Sequence, residues 1–418
     1  MSIRTGARET FRSLTVRNFR LFFAGQLISQ IGNWVTMVAQ TLLVLHLGGS
    51  GLQIGVLVAC QFVPVLILGA WTGLVADRSD KRRLLMIVQT LAMLQSFALA
   101  ALAFSGDPPL WAIDAIALLG GVCLAFDNPA RRAFVVEMVP EELVNNAVSL
   151  NSALMTSARV FGPAIAGLLA HTVGYGWCFT ADGFSYLAVL LGLYLIDPTR
   201  LRSAPPTARA KGQIRAGLRY VKTVPDLWIP LVVMTIVGTL TFNFTVVFPL
   251  FVEKTLHGDD AAFTMMFSVM SFGSFVGALL TARRSHITPA HVIGSAAAFG
   301  VAMAVFAAAP NLAWTFPLGL LVGGTSVAFL TSSTSIVQVR AAPTMRGRVL
   351  ALQAIVFLGS TPIGGPILGV VCDAFGARAG VLLGGVAAVL AALWGRAAFA
   401  RGGHPLSEPS TPGDLRVA

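Results

Sequence analysis

Apolar residues in this chain gather into long unbroken runs and do not alternate with polar ones. Twelve such runs fall near 19–47, 52–76, 84–104, 109–128, 147–171 and 176–197, then near 227–251, 261–282, 288–309, 312–336, 349–373 and 379–399. Each is close to the length of about 20 residues that crosses a bilayer as a helix. Inside hydrocarbon every backbone N–H and C=O needs a partner, which leaves helices or closed barrels. Runs this long without alternation exclude barrel strands. The pattern predicts an all-α membrane protein with twelve transmembrane helices. The widest gap, Pro198 to Asp226, divides the chain into a first bundle at 1–197, a linker at 198–225, a second bundle at 226–400 and a tail at 401–418.

The halves repeat. Gly73-Leu-Val-Ala-Asp77-Arg78 at the end of the second run recurs weakly as Gly277-Ala-Leu-Leu-Thr-Ala-Arg283 at the end of the eighth. Gly162-Pro163 in the fifth recurs as Gly365-Pro366 in the eleventh, so the two offsets, 204 and 203 residues, agree. Paired six-helix bundles with a site near the bilayer midplane are a known transporter architecture.

Composition sharpens the class. Charged residues make up 11% of the chain, against roughly 25% in soluble domains, while 56% of residues are hydrophobic. The 42 glycines and 21 prolines fit helices that pack closely and bend. Basic residues set an orientation. With both termini in the cytoplasm, 26 of the 29 lysines and arginines fall on inner segments, as the positive-inside rule requires. Lys254 and Arg378 lie outside, and Arg159 lies within a run. This bias accounts for the net charge of +11 without nucleic-acid binding. The chain is expected in the plasma (inner) membrane as a monomer. The first apolar run is too long for a cleaved signal and reads as a permanent span.

Cys60, Cys123, Cys178 and Cys372 are widely spaced in or beside apolar runs and read as packing residues. In the linker, Ile214, Leu218 and Val221 share one helical face, and Lys211, Arg215, Arg219 and Lys222 the other. That suits a short helix on an anionic membrane surface, with a solvated basic linker as the alternative.

Candidate chemistry lies at membrane depth. Arg159 sits about twelve residues into the fifth run, roughly 18 Å deep at 1.5 Å per residue. An ionisable group there is costly and marks function by default. It could bind an anionic substrate group or be neutralised by Asp114 or Asp182. Gln26, Gln30, Asn33, Met37 and Gln40 form one stripe on the first helix. The stripe faces either a cavity or neighbouring helices through hydrogen bonds. Asn243 is a candidate of the same kind, as are Thr331, Ser335 and Gln338 more weakly. His46, His171 and His257 fall at membrane edges.

The segment Gly73 to Arg83 joins the second and third runs through a tight basic turn. It resembles the signature loop of the major facilitator superfamily, with Ser79-Asp80 where many members carry an aromatic residue and Gly. NFRLFFAGQLISQIGNW (18–34), NPARRAFVVEMVPEELVNNAVSLNSAL (128–154), ARVFGPAIAGLLA (158–170) and MRGRVLALQ (345–353) extend the likeness. Together they resemble the branch that contains the enterobactin exporter and related drug efflux proteins. The resemblance implies the major facilitator fold of two pseudo-symmetric six-helix bundles. It implies that Asp77 acts as a conformational latch against the start of the eleventh helix, where partial positive charge favours a carboxylate. Gly73, Arg78, Arg82 and Asp127 would complete that gate. Gly162, Pro163 and Gly167 resemble an antiporter motif of the fifth helix, although Ala158 and Ala166 replace glycines of its fullest form. The resemblance also favours Asp114 for proton coupling, because the fourth helix lines the cavity in this superfamily, and gives Asp182 a structural role.

No phosphate-binding Gly-x-x-x-x-Gly-Lys, His-Glu-x-x-His, Gly-x-Ser-x-Gly or Cys-rich pattern occurs. Neither an enzyme, nor a resident cofactor, nor a metal site is expected. The expectation is a secondary active transporter exporting small amphipathic molecules, drugs or siderophore-like metabolites, by proton antiport and alternating access. Proton-coupled uptake is the rival within transport, and a non-transporting membrane sensor or assembly protein the rival outside it.

Overall fold

The computed structural model describes residues 11–202, 213–282 and 287–401. The described residues are almost wholly helical and contain no strand. The first six spans are α1 (Arg17–His46), α2 (Gly51–Arg78), α3 (Lys81–Phe104), α4 (Leu110–Glu137), α5 (Val144–Val173) and α6 (Tyr175–Leu195). A short α7 (Gln213–Thr223) precedes α8 (Pro225–Leu240) and α9 (Phe244–Leu250), which together make the seventh span. Then follow α10 (Asp260–Ala282), α11 (Pro289–Ala307), α12 (Leu312–Arg340), α13 (Pro343–Phe375) and α14 (Ala377–Arg401). Twelve spans are long and apolar enough to cross a membrane.

Local sequence explains the boundaries. At the start of α2, Ser50 and Gln53 form a reciprocal capping box: the Ser50 amide donates to Gln53 Oε1 (2.6 Å), and the Gln53 amide donates to Ser50 Oγ (3.3 Å). Only Ser79 and Asp80 separate α2 from α3, and Asp80 Oδ1 accepts the Arg83 amide (3.0 Å), capping α3. The helices ending at Val173 and Phe375 both stop at a glycine with positive φ, Gly174 (89°) and Gly376 (85°). Side chains rarely take that conformation, and the pair matches the internal repeat.

The seventh span departs from the single run expected at 227–251. It breaks at residues 241–243, and a π turn, Phe251–Thr255, follows α9. The Thr241 hydroxyl turns to the Gly384 carbonyl (2.8 Å), and the Asn243 amide takes the Thr239 carbonyl (2.7 Å). Side chains inserted in this way interrupt a helical ladder.

The chain forms two compact units. One comprises residues up to 208 together with Asp259–Ser268, the other Arg209–Gly258 and Val269 onward. In the first, α1 packs on α5 and α6, α2 on α4, and α3 on α4 and α6. Its inner core includes Phe19, Phe22, Leu85, Phe134, Val189 and Leu193, with Phe22 and Phe134 edge to face at 5.7 Å. In the second, α8 packs on α13 and α14, and α11 on α12 and α14. The linker helix α7 docks on α8 and α13: Val221 is buried, and the Tyr220 hydroxyl accepts the Ala342 amide (3.0 Å). Leu218 stays exposed, so only part of the expected apolar face meets protein. Ile214 and Arg215, along with Lys211, fall outside the side chains described. The four cysteines are free thiols, three of them buried, and His46, His171 and His257 are exposed.

Candidate functional site

The interior of the first unit is polar at depth. Asp182 on α6 is 1% exposed. Its Oδ2 accepts the Thr36 hydroxyl of α1 and the Ser96 hydroxyl of α3, both at 2.7 Å. Three helices therefore meet at one carboxyl group. Gly32 makes this approach possible, since a Cβ there would collide with the Asp182 carboxyl group and lie 2.7 Å from Ser185 Oγ. One turn further along α6, the buried Tyr186 hydroxyl donates to Asn33 Oδ1 (2.9 Å).

The predicted amide stripe on α1 is thus partly a helix-joining device. Gln30 donates to Gln26 Oε1 (3.1 Å), and Gln40 accepts from Gln61 of α2 (2.8 Å). Two buried amide nitrogens, Gln26 Nε2 and Gln40 Nε2, have no partner among the described residues. Buried polar groups are nearly always paired, and these two donors are exceptions.

A second polar cluster lies around Asp127 and Lys81. Asp127 pairs with Arg131 (2.8 Å) and accepts from Gln89 (2.7 Å), all three buried. Lys81 pairs with Glu137 (2.8 Å). Asp127, placed by resemblance in a network with Arg78, has its close partner on its own helix one turn away. Arg78 is exposed at the end of α2, with Asp77 half-buried beside it and Gly73 buried one turn earlier. Arg82 donates from Nε to the Leu193 carbonyl (2.6 Å) and from Nη2 to the Tyr194 carbonyl (2.9 Å). There it caps the C-terminus of α6, where a cation is favoured.

Arg159 on α5 lies over the Trp34 ring, 5.4 Å from its centroid, within cation–π range. Among the described residues of this unit, buried ion pairs join Arg131 to Asp127 and Lys81 to Glu137. Asp114 is half-buried on α4. Gly162 seats directly against the Trp34 side chain, and Gly167 against Thr264, while Pro163 is buried between them.

In the second unit Asn243 is 1% exposed at the helix break, and its Oδ1 has no partner among the described residues. Around it stand phenylalanines: Phe242 lies 5.1 Å from both Phe299 and Phe357, and Phe248 stacks on Phe306 at 4.8 Å. Thr331 and Ser335 are half-buried and Gln338 is exposed. No group of metal-ligating side chains occurs among the described residues.

A family model described as a transmembrane secretion effector, within the major facilitator superfamily, matches residues 8–401. The chain belongs to that family. It is 25% identical over 363 residues to the staphyloferrin A transporter of Staphylococcus aureus, covering 85% of this chain and 90% of that one. It is 26% identical over 373 residues to the multidrug efflux pump Tap of Mycolicibacterium fortuitum, covering 86% and 90%. Among solved structures, the nucleoside transporter NupG superposes with a TM-score of 0.73 at 14% identity, covering 92% and 99%. That likeness shows the fold alone. The secretion effector is a multi-pass membrane transporter and not an enzyme.

Sequence reasoning missed Thr36, Ser96 and Gln89 in this transporter. Each is an uncharged polar residue inside an apolar run, and only its position opposite an acid on another helix gives it meaning. The one usable signal was that Thr36 lies beside the amide stripe.

Proposed function

We propose that this transporter exports small amphipathic organic molecules, drugs or siderophore-like metabolites, by proton antiport with alternating access. The observation that carries the reading is agreement along almost the whole chain with relatives named as a multidrug efflux pump and a siderophore transporter. Both termini face the cytoplasm, an orientation supported by the basic residues at one end of the helices, Arg78, Lys81, Arg82, Arg131 and Arg340 among them.

Within this reading Asp77 is the latch, with Gly73, Arg78 and Arg82 shaping its turn and Asp127 held beside it by Arg131. Gly162, Pro163 and Gly167 form a tightly packed, bendable stretch of α5. Asp114 carries the coupling proton, because it is half-buried and reachable. Asp182 instead binds two hydroxyls and holds three helices together. Gln26, Gln30, Asn33, Arg159 and Asn243 line the substrate's route.

The test is accumulation of fluorescent drugs and a siderophore in cells that make the protein, with and without a protonophore. Lower accumulation that the protonophore reverses is the expected result. Accumulation above that of control cells would make the protein an uptake system and overturn the proposal.

A further inference from the structure

The half of α5 that begins at Val144 carries an exposed polar face. Asn145, Ser149, Ser152, Thr156 and Arg159 follow one another at spacings of four, three, four and three, and all five are exposed. At 1.5 Å per residue they form a line about 21 Å long. The opposite face of the same stretch, Ala147, Leu150, Leu154 and Ala158, is buried in the first unit. Beyond Arg159 the polar line ends: Pro163 and Gly167 continue its direction, but both are buried, and Thr264 lies against Gly167.

A row of polar side chains ending in a guanidinium does not belong on a lipid-facing surface. Of the exposed large apolar residues of α5, Phe161 and Leu168 lie beyond Arg159 and on another side, while Val148 borders the polar line. The polar line therefore borders water and leads from the inner end of α5 to Arg159. Its sign is uniform, because α5 holds no carboxylate anywhere from Val144 to Val173. At its end the Arg159 guanidinium lies on the Trp34 ring. Gly162 packs directly against the base of the Trp34 side chain, at its Cβ.

We propose that this face of α5 is a track for an amphipathic organic anion, with Arg159 binding the anionic group and Trp34 the flat apolar body. A guanidinium offers paired donors that match a carboxylate, and an indole ring offers a broad apolar surface. The assignment takes the export reading as its frame and narrows its substrates to anions such as aryl carboxylates.

Two probes with one aromatic body separate charge from shape: naphthoxyacetate and its uncharged counterpart naphthoxyethanol. Binding of each to the purified full-length protein is measured by equilibrium dialysis, alongside drug efflux from vesicles. The native protein is expected to bind the anion about tenfold or more tighter than the alcohol, the scale of one charge-assisted hydrogen bond. Arg159→Gln should abolish that preference and leave the alcohol's affinity unchanged, while Arg159→Lys keeps part of it. Equal affinities in the native protein would overturn the assignment. So would equal weakening of both probes in Arg159→Gln, which would mark a packing role. Drug efflux without anion preference contradicts this assignment alone, whereas an Arg159-dependent preference without efflux of either class contradicts the export reading alone.

Discussion

The same helix crossing is built twice in this chain, with opposite chemistry. In the first unit α3 meets α6 through a hydrogen bond from Ser96 to the buried Asp182. Displaced by 204 and 203 residues, the matching positions are Gly300 on α11 and Gly385 on α14. There the backbones touch: a Cβ on Gly300 would come within 2.6 Å of the Gly385 carbonyl. Lipid tails are as apolar as a helix surface, so burial alone gives spans little reason to associate. Close packing and hydrogen bonds remain, and at this crossing each unit leans on one of them. The second unit adds a cluster of phenylalanines around Phe242. The first adds buried ion pairs and amides, which hold their partners in one geometry.

Substitutions in one unit should therefore differ in kind from those in the other. The largest effect is expected on transport: Asp77→Asn should lower efflux about tenfold or more if the carboxylate latches a helix N-terminus. Its repeat counterpart, Thr281→Val, should leave efflux unchanged, because among the described residues that hydroxyl bonds the Gly277 carbonyl one turn back. Normal efflux by stably inserted Asp77→Asn protein would remove the latch. On stability, Arg131→Ala strands the buried Asp127 and should cost about 3–5 kcal/mol in detergent unfolding. A loss under about 1 kcal/mol would mean that the ion pair does not organise the first unit.

Gly300→Val forces a side chain against the Gly385 carbonyl and should cost about 3 kcal/mol. Asp182→Ala leaves the Thr36 and Ser96 hydroxyls without their acceptor and should cost about 2 kcal/mol, with Asp182→Asn recovering most of it. If Asp182→Ala proved harmless while Gly300→Val did not, packing would dominate both units and the contrast between them would fail. The smallest effect belongs to the exposed turn after α6. The Thr199 hydroxyl, then its amide, hold the Asp197 carboxyl below its ordinary range. A depressed carboxylate contributes stability above its unfolded-state pKa and loses it as pH falls through the folded one. Asp197→Asn should therefore matter slightly at neutral pH and not at all in strong acid, as read from melting profiles across pH.

Much of this architecture is legible in the sequence because bilayer thickness leaves a direct trace in run length. All twelve spans follow from it, whereas the turn between α2 and α3, read from run length as residues 77–83, narrows to Ser79 and Asp80 because both helices extend into it. The break at residues 241–243 left no such trace, since it depends on Thr241 finding the Gly384 carbonyl 143 residues away. The site was legible in residue type more than in pairing. Arg159, Asp127 and Asn33 stand out as polar groups in apolar runs, but Arg131 as the partner of Asp127, and Tyr186 as the partner of Asn33, depend on helix rotation and contact across 153 residues of chain. For the same reason Asp182 reads only as a lone acid until Thr36 and Ser96 are brought to it.

The central claim, proton-driven export, is tested most directly with purified protein in sealed vesicles loaded at acid pH and diluted into alkaline buffer. Antiport predicts that a fluorescent substrate accumulates inside above its external concentration as protons leave. Collapsing the gradient with a protonophore should release it. Accumulation only under the reversed gradient, acid outside, would show protons and substrate moving together and would contradict the account.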